Sequence, residues 1–183
     1  GYNSLLNIKK FKKIVNNVGI SIIGQTSEIC PADKKIYALR DKSNLIASFP
    51  LICGSIMGKK IAEGINGLIL DIKAGNGAFM ETESDAKQLG DFLSKIGNEF
   101  NVNVKYSVTD MSQPLGEYSG LTCEILESLN SLKGNGPKDL MNIIFELGKI
   151  ALNMTGNSNP KESIQNVIDD GSAYEILLKM IFE

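Results

Sequence analysis

The chain has 183 residues, 43% hydrophobic and 22% charged, a balance expected of one folded domain burying about two-thirds of its unfolded surface. Nineteen basic against 21 acidic residues give a net charge of −2, without the cation excess that sequence-independent nucleic-acid binding needs, and 7% aromatics offer few stacking platforms. Histidine is absent, so these residues alone build no Ser-His-Asp or Cys-His system and no HExxH zinc site, and acid–base chemistry falls to carboxylates, Lys, Tyr or Cys.

Ile8, Phe11, Val15 and Val18 recur at spacings of three or four between Lys9, Lys10, Lys12 and Lys13, which predicts an amphipathic helix over 7–17 with the lysines on a solvated face. The β-branched run Gly19–Gly24 predicts a strand. A second helix is expected from Pro31 through Arg40, residues 42–48 are irregular, and a third helix runs from about Pro50 to Ala62 and stops near Gly64. Gly67–Ile72 is a nearly all-apolar strand, as when both sheet faces are covered. A helix capped by Thr82 or Ser84 follows, with Ala86, Leu89, Phe92, Leu93 and Ile96 as its apolar stripe up to Gly97. Val102–Val108 completes a β-α-β unit with parallel strands. Helices are expected at 123–129, from Pro137 past Ile150, over 160–169 and over 172–183. The class is α/β: a partial parallel or mixed sheet flanked by helices, with helices in excess.

Cys30, Cys53 and Cys123 are odd in number and widely spaced, so reduced thiols in a cytoplasmic protein are expected rather than disulfides or a zinc knuckle. No apolar run approaches the ~20 residues of a membrane span, and neither a signal peptide nor a membrane partner is expected.

Two patterns could carry chemistry. Ser55 and Lys59, four apart on the third helix, share one face, and Arg40 ends the helix before, so hydroxyl, ammonium and guanidinium could meet a carbonyl or an anion. On spacing alone, solvated helix-end cations and a small packing serine are the simpler account. Asp71-Ile72-Lys73-Ala74-Gly75-Asn76-Gly77-Ala78-Phe79 and Asp110-Met111-Ser112-Gln113-Pro114-Leu115-Gly116 each follow a strand, where open α/β sheets gather ligands, yet a lone GxG is also simply a tight turn.

As ordered blocks, these segments resemble the pyrimidine-nucleoside phosphorylase and thymidine phosphorylase family. The matching stretches are Ile23–Thr26, Pro31–Asp41, Pro50–Ile52, Ser55–Met57 with Lys59-Lys60, and Asp71–Lys73 with Gly75 and Gly77–Met80. Downstream come Thr109–Met111, Gln113–Gly116 and Leu132–Pro137. They span nearly the whole chain in register, and the Pro31–Asp41 and Ser55–Lys59 blocks set it apart from anthranilate phosphoribosyltransferases of similar fold.

The resemblance implies a pentosyltransferase: phosphate, the co-substrate, attacks the anomeric carbon of a pyrimidine nucleoside and releases the free base and a pentose 1-phosphate. It assigns the base to Arg40, Ser55 and Lys59, with Tyr37 and Asp33 orienting Arg40 and packing the helix. It also implies a monovalent cation, typically potassium, held by oxygen ligands from Leu115, Tyr118 and Glu127, and no organic cofactor. Residues 1–30 would begin an α/β lobe, 31–63 belong to a helical lobe through which such enzymes form homodimers, and 64–183 continue the α/β lobe. The family's phosphate loop, Lys-His-Ser-Thr-Gly-Gly, precedes the part matched here, and its glycine-rich C-terminal region follows it. The expectation is therefore a central portion that is inactive alone, with a non-catalytic binding module as the alternative. One departure from the resemblance is internal: Lys42–Ser48 replaces a Thr-rich segment ending in Asp-Ser, a change expected to bear on lobe hinging or substrate fit.

Overall fold

The first helix, α1 (Ile8–Val18), starts where the Asn7 side chain accepts the Lys10 N–H and ends where Gly19 turns left-handed, φ 93°, with its N–H on the Val15 carbonyl. Its lysines are exposed as expected, whereas the expected stripe of Ile8, Phe11, Val15 and Val18 is half-buried and the fully buried residue is Ile14. The computed structural model describes residues 2–24 and 31–183. Gln25, Thr26 and Cys30, named above, lie outside the described residues.

Eight helices and two strands follow one another among the described residues, an α/β chain in which helices outnumber strands. After α1 come α2 (Pro31–Lys42), α3 (Phe49–Ala62), β1 (Gly67–Ala74), α4 (Glu83–Glu99) and β2 (Asn103–Asp110). Then come α5 (Leu121–Leu132), α6 (Lys138–Met154), α7 (Pro160–Asp169) and α8 (Ser172–Phe182). No described helix is long and apolar enough to cross a membrane.

The chain divides into two compact units. One gathers residues 1–31, 118–136 and 162–183; the other gathers 32–117 and 137–161. In the first, Leu6, Ile14 and Met180 form a small core where α1 meets α8. In the second, β1 and β2 pair in parallel from Gly67 opposite Asn103 to Ala74 opposite Asp110. The sheet's apolar face packs on α4 through Ile72, Val104, Leu89 and Leu93, and α3 adds Cys53 and Met57. Its other face is polar. Asp71 stands beside Ser107 and Lys73 beside Thr109, and Ser107 donates to Glu146 of α6. The nearly all-apolar run 67–72 pointed to two covered faces, and α6 covers this second one, but the pairing of its polar residues was not readable because cross-strand neighbours depend on register.

Two expectations are corrected. Residues 19–24 form no strand: the apolar run has no strand beside it among the described residues, and the Gly24 N–H instead meets the Ser4 carbonyl at 2.8 Å. The helix expected to stop at Gly97 continues to Glu99, because Gly97 is a contact point: an added Cβ would lie 2.9 Å from the Val102 carbonyl oxygen and tighter still on Val104. The cap at its other end is Thr82, whose hydroxyl accepts the Asp85 N–H at 3.1 Å.

Candidate functional site

Pro50 sits at the start of α3, where its missing N–H is no loss. The helix buries Cys53 and Met57 in the core. Burial of the Cys53 side chain pushes its thiol pKa up, which keeps it protonated and unreactive. A second stripe, Ile52, Ser55, Ile56 and Lys59, follows the i, i+3, i+4, i+7 rule, and α2 offers Asp33, Tyr37 and Arg40 on a stripe of its own.

Between these stripes three polar side chains close on one another. Ser55 Oγ donates to Asp33 Oδ1 at 2.8 Å, Lys59 Nζ donates to Asp33 Oδ2 at 2.8 Å, and Lys59 Nζ donates to Ser55 Oγ at 2.7 Å. The Lys59 hydrogen bond is the largest cause holding the Asp33 carboxyl below the usual carboxylate range; burial opposes it, and the Ser55 hydroxyl and the charges of Lys59 and Arg40 each lower it by less. Lys59 keeps about a third of its side chain exposed.

Arg40 is only 5% exposed, which the solvated account of helix-end cations did not anticipate. Its Nε donates to the Leu45 carbonyl at 3.4 Å, one terminal nitrogen to the Leu51 carbonyl at 3.1 Å and the other to the Ile46 carbonyl. The guanidinium carbon lies 5.3 Å from the centroid of the Tyr37 ring, a cation–π contact. Tyr37 thus touches Arg40, whereas Asp33 is hydrogen-bonded to Ser55 and Lys59. The carbonyls that Arg40 takes up come from residues 45–51, overlapping the segment that departs from the resemblance.

On the same stripe of α3, Ile52 and Ile56 line a cavity of about 440 Å³ whose other walls include Leu70, Phe79, Leu89 and Met111. The next residues of β1, Asp71 and Lys73, carry their side chains on the sheet's other face, joined by an ion pair of 2.7 Å; Lys73 donates to the Thr109 hydroxyl at 2.9 Å, and that hydroxyl donates to Asp71. Predominantly apolar walls are the usual lining of a small-molecule site. Thr109 was legible only as part of a motif, since its contact with Asp71 and Lys73 depends on strand register.

The GxG turn is explained by packing. Gly75 has φ 126°, and a Cβ on it would lie 2.8 Å from the Ser112 nitrogen; one on Gly77 would lie 2.5 Å from the Met111 carbonyl oxygen. The two loops that follow the strands therefore lie against each other, tied by the Gly77 N–H to the Met111 carbonyl at 3.1 Å. Asp110 accepts the Ser112 N–H at 2.9 Å, which closes the second loop as an Asx turn; hydrogen bonds from Ser112 hold its carboxyl below the usual range.

Of the three residues expected around a cation, Tyr118 and Glu127 meet in one unit, where Glu127 Oε1 accepts the Tyr118 N–H at 3.2 Å. Leu115 belongs to the other unit and is exposed. Glu127 is 5% exposed, and a buried carboxylate side chain suits a hard cation. No trio of His, Cys, Asp or Glu gathers among the described residues, so a cation beside Glu127 would need main-chain oxygens.

Residues 1–174 match the glycosyl transferase family, a/b domain. Among curated proteins, the chain is 42% identical over 177 residues to a pyrimidine-nucleoside phosphorylase of Staphylococcus epidermidis, an alignment covering 94% of this chain and 41% of that protein. A pyrimidine-nucleoside phosphorylase of Bacillus subtilis is 40% identical over 179 residues, covering 96% of this chain and 41% of its own. The chain therefore spans about two-fifths of the length of the curated relatives it matches. With nearly every residue inside the matched domain, the chain belongs to the glycosyl transferase family defined by that a/b domain, and within it resembles the pyrimidine-nucleoside phosphorylases.

Proposed function

We propose that the chain provides the base-holding part of a pyrimidine-nucleoside phosphorylase, an enzyme that converts nucleoside and phosphate into free base and pentose 1-phosphate. The observation that carries this reading is the closed set of Asp33, Ser55 and Lys59, two of them on the helix α3 whose Ile52 and Ile56 line an apolar cavity. In phosphorolysis a phosphate oxygen forms a bond to the anomeric carbon, the glycosidic C–N bond breaks, and its electron pair passes to the base. The negative charge that develops on the ring is then met by the Lys59 ammonium, an interaction stronger in the transition state than with the neutral base. Arg40 belongs to the same set, but its guanidinium is engaged by three carbonyls, so contact with a base exchanges one of them for a ring oxygen.

Turnover needs groups that these residues do not include: the sequence has no histidine and no Lys-His-Ser-Thr-Gly-Gly stretch. The chain alone, incubated with uridine or thymidine and phosphate, is expected to release no free base; release at the rate of a complete relative would refute the need for that stretch. The base-binding part is tested separately by calorimetric titration with uracil, where Lys59→Met is expected to weaken affinity by about tenfold, the value of one charge-assisted hydrogen bond. Equal affinity would remove Lys59 from the site.

A second reading, a binding module without catalysis, draws on the departing segment 42–48, whose Leu45 and Ile46 carbonyls engage Arg40. The two separate when a longer polypeptide carrying the phosphate loop is assayed, since only the first predicts turnover. The enzyme reading also carries a cytoplasmic homodimer and a potassium ion on the Glu127 carboxylate. Exchange of potassium for lithium is then expected to lower the melting temperature of the chain and to leave Glu127→Gln unaffected.

A further inference from the structure

Arg40 is read above as a base contact, but a ligand cannot reach its guanidinium in this conformation. The residue is 5% exposed, and three of its five N–H donors go to the carbonyls of Leu45, Ile46 and Leu51. The other two are covered with it. Tyr37, whose ring centroid lies 5.3 Å from the guanidinium, belongs to α2, and α2 is fastened to α3 through Asp33, Ser55 and Lys59. Residues 43–48, which run between these two helices, also lie on Arg40 through Leu45 and Ile46.

These six residues are lightly held. Ser43, Asn44, Leu45 and Ala47 are exposed, Leu45 at 49%, so the segment buries little apolar surface. Its backbone bonds are those of turns: the Leu45 N–H meets the Arg40 carbonyl at 2.9 Å and the Ser48 N–H meets the Leu45 carbonyl at 3.1 Å. Asn44 sits at φ 53°, a left-handed position that most side chains disfavour. The far end is anchored, since the Phe49 ring packs edge-on against Phe92 at 5.5 Å. A segment with fixed ends and few buried contacts opens locally at low cost.

We propose that residues 43–48 form a strap over Arg40 that lifts when the base site fills, so that a held strap and an Arg40–ligand contact exclude each other. This rests on the reading of Arg40 as a base contact. The strap can swing away or the guanidinium can turn out from under it; in both cases the Leu45 and Ile46 carbonyls lose their donor and pass to water. The coupling is reciprocal. A change that loosens the strap raises the fraction of chains ready to bind, and so tightens the apparent affinity.

The test joins calorimetry to hydrogen exchange of the 183-residue chain with 1-methyluracil, whose blocked N1 stands for the substituted nitrogen of a nucleoside. At saturation the Leu45 and Ser48 amides are expected to exchange at least about fivefold faster than without ligand, the equivalent of one lost hydrogen bond. In Arg40→Lys, whose strap is already released, the ligand should add no such increase. Asn44→Ala alters an exposed position outside the polar set, and should tighten binding about fivefold by destabilising the held turn. Binding with unchanged or slowed strap exchange, or an Asn44→Ala affinity equal to or weaker than wild type, overturns the strap and leaves the base-holding reading in place. A chain that does not bind 1-methyluracil at all overturns that reading, and the strap with it.

Discussion

Lys59 shows how a residue's meaning depends on its neighbours: on spacing it is one lysine near a helix end, and in the fold it closes a ring of hydrogen bonds with Asp33 and Ser55. The i, i+4 relation of Ser55 and Lys59 was legible in the sequence. The contribution of Asp33 was not, because it comes from 22 residues earlier on another helix. Since Lys59 holds the folded Asp33 carboxyl below its unfolded value, this group adds stability above pH ~3.9 that is lost as the pH falls through the lower folded value. The urea midpoint of Lys59→Met should therefore lie below that of wild type at pH 6, and the gap should narrow below about pH 3.9. A gap that stays constant across that range would show that the pair does not titrate as described. Arg40 is tested by hydrogen exchange. Arg40→Lys cannot span the carbonyls of Leu45, Ile46 and Leu51 together, so amide exchange over residues 43–52 should speed up; unchanged protection would show that the guanidinium does not hold that segment.

Among elements, α4 and the sheet define the core of their unit, and the sequence showed α4 by its stripe and its cap. Replacing Thr82 with Ala removes the hydroxyl that accepts the Asp85 N–H and should cost about 1 kcal/mol in urea unfolding. The end of α4 was read two residues short because glycine has two uses, left-handed caps and close approaches, and only the fold distinguishes them. Gly90 and Gly97 serve the second: a Cβ on Gly90 would lie 2.6 Å from the Tyr106 ring. Gly90→Ala should destabilise the chain by about 1–3 kcal/mol despite alanine's better helix propensity. A neutral or stabilising result would mean that α4 moves off the sheet at little cost. The strand expected at residues 19–24 failed for a related reason: β-branched composition reports fitness for a sheet but supplies no neighbouring strand.

At the scale of the whole molecule, the element order from α2 to β2 was readable because it is local periodicity and turn chemistry, whereas the division into two units is built from segments distant in sequence. The helical stretch that carries Asp33, Ser55 and Lys59 shares its unit with β1, α4 and the cavity, so the polar set and the apolar walls are parts of one body. The central claim is that a pyrimidine sits between them, and it is tested most directly by determining the structure of the chain soaked with 1-methyluracil. The account predicts the ring beside Ile52 and Ile56, with a carbonyl oxygen within hydrogen-bonding distance of Lys59 Nζ and the ring N–H on Ser55 Oγ. A ring bound elsewhere, or bound with no contact to either side chain, would contradict it.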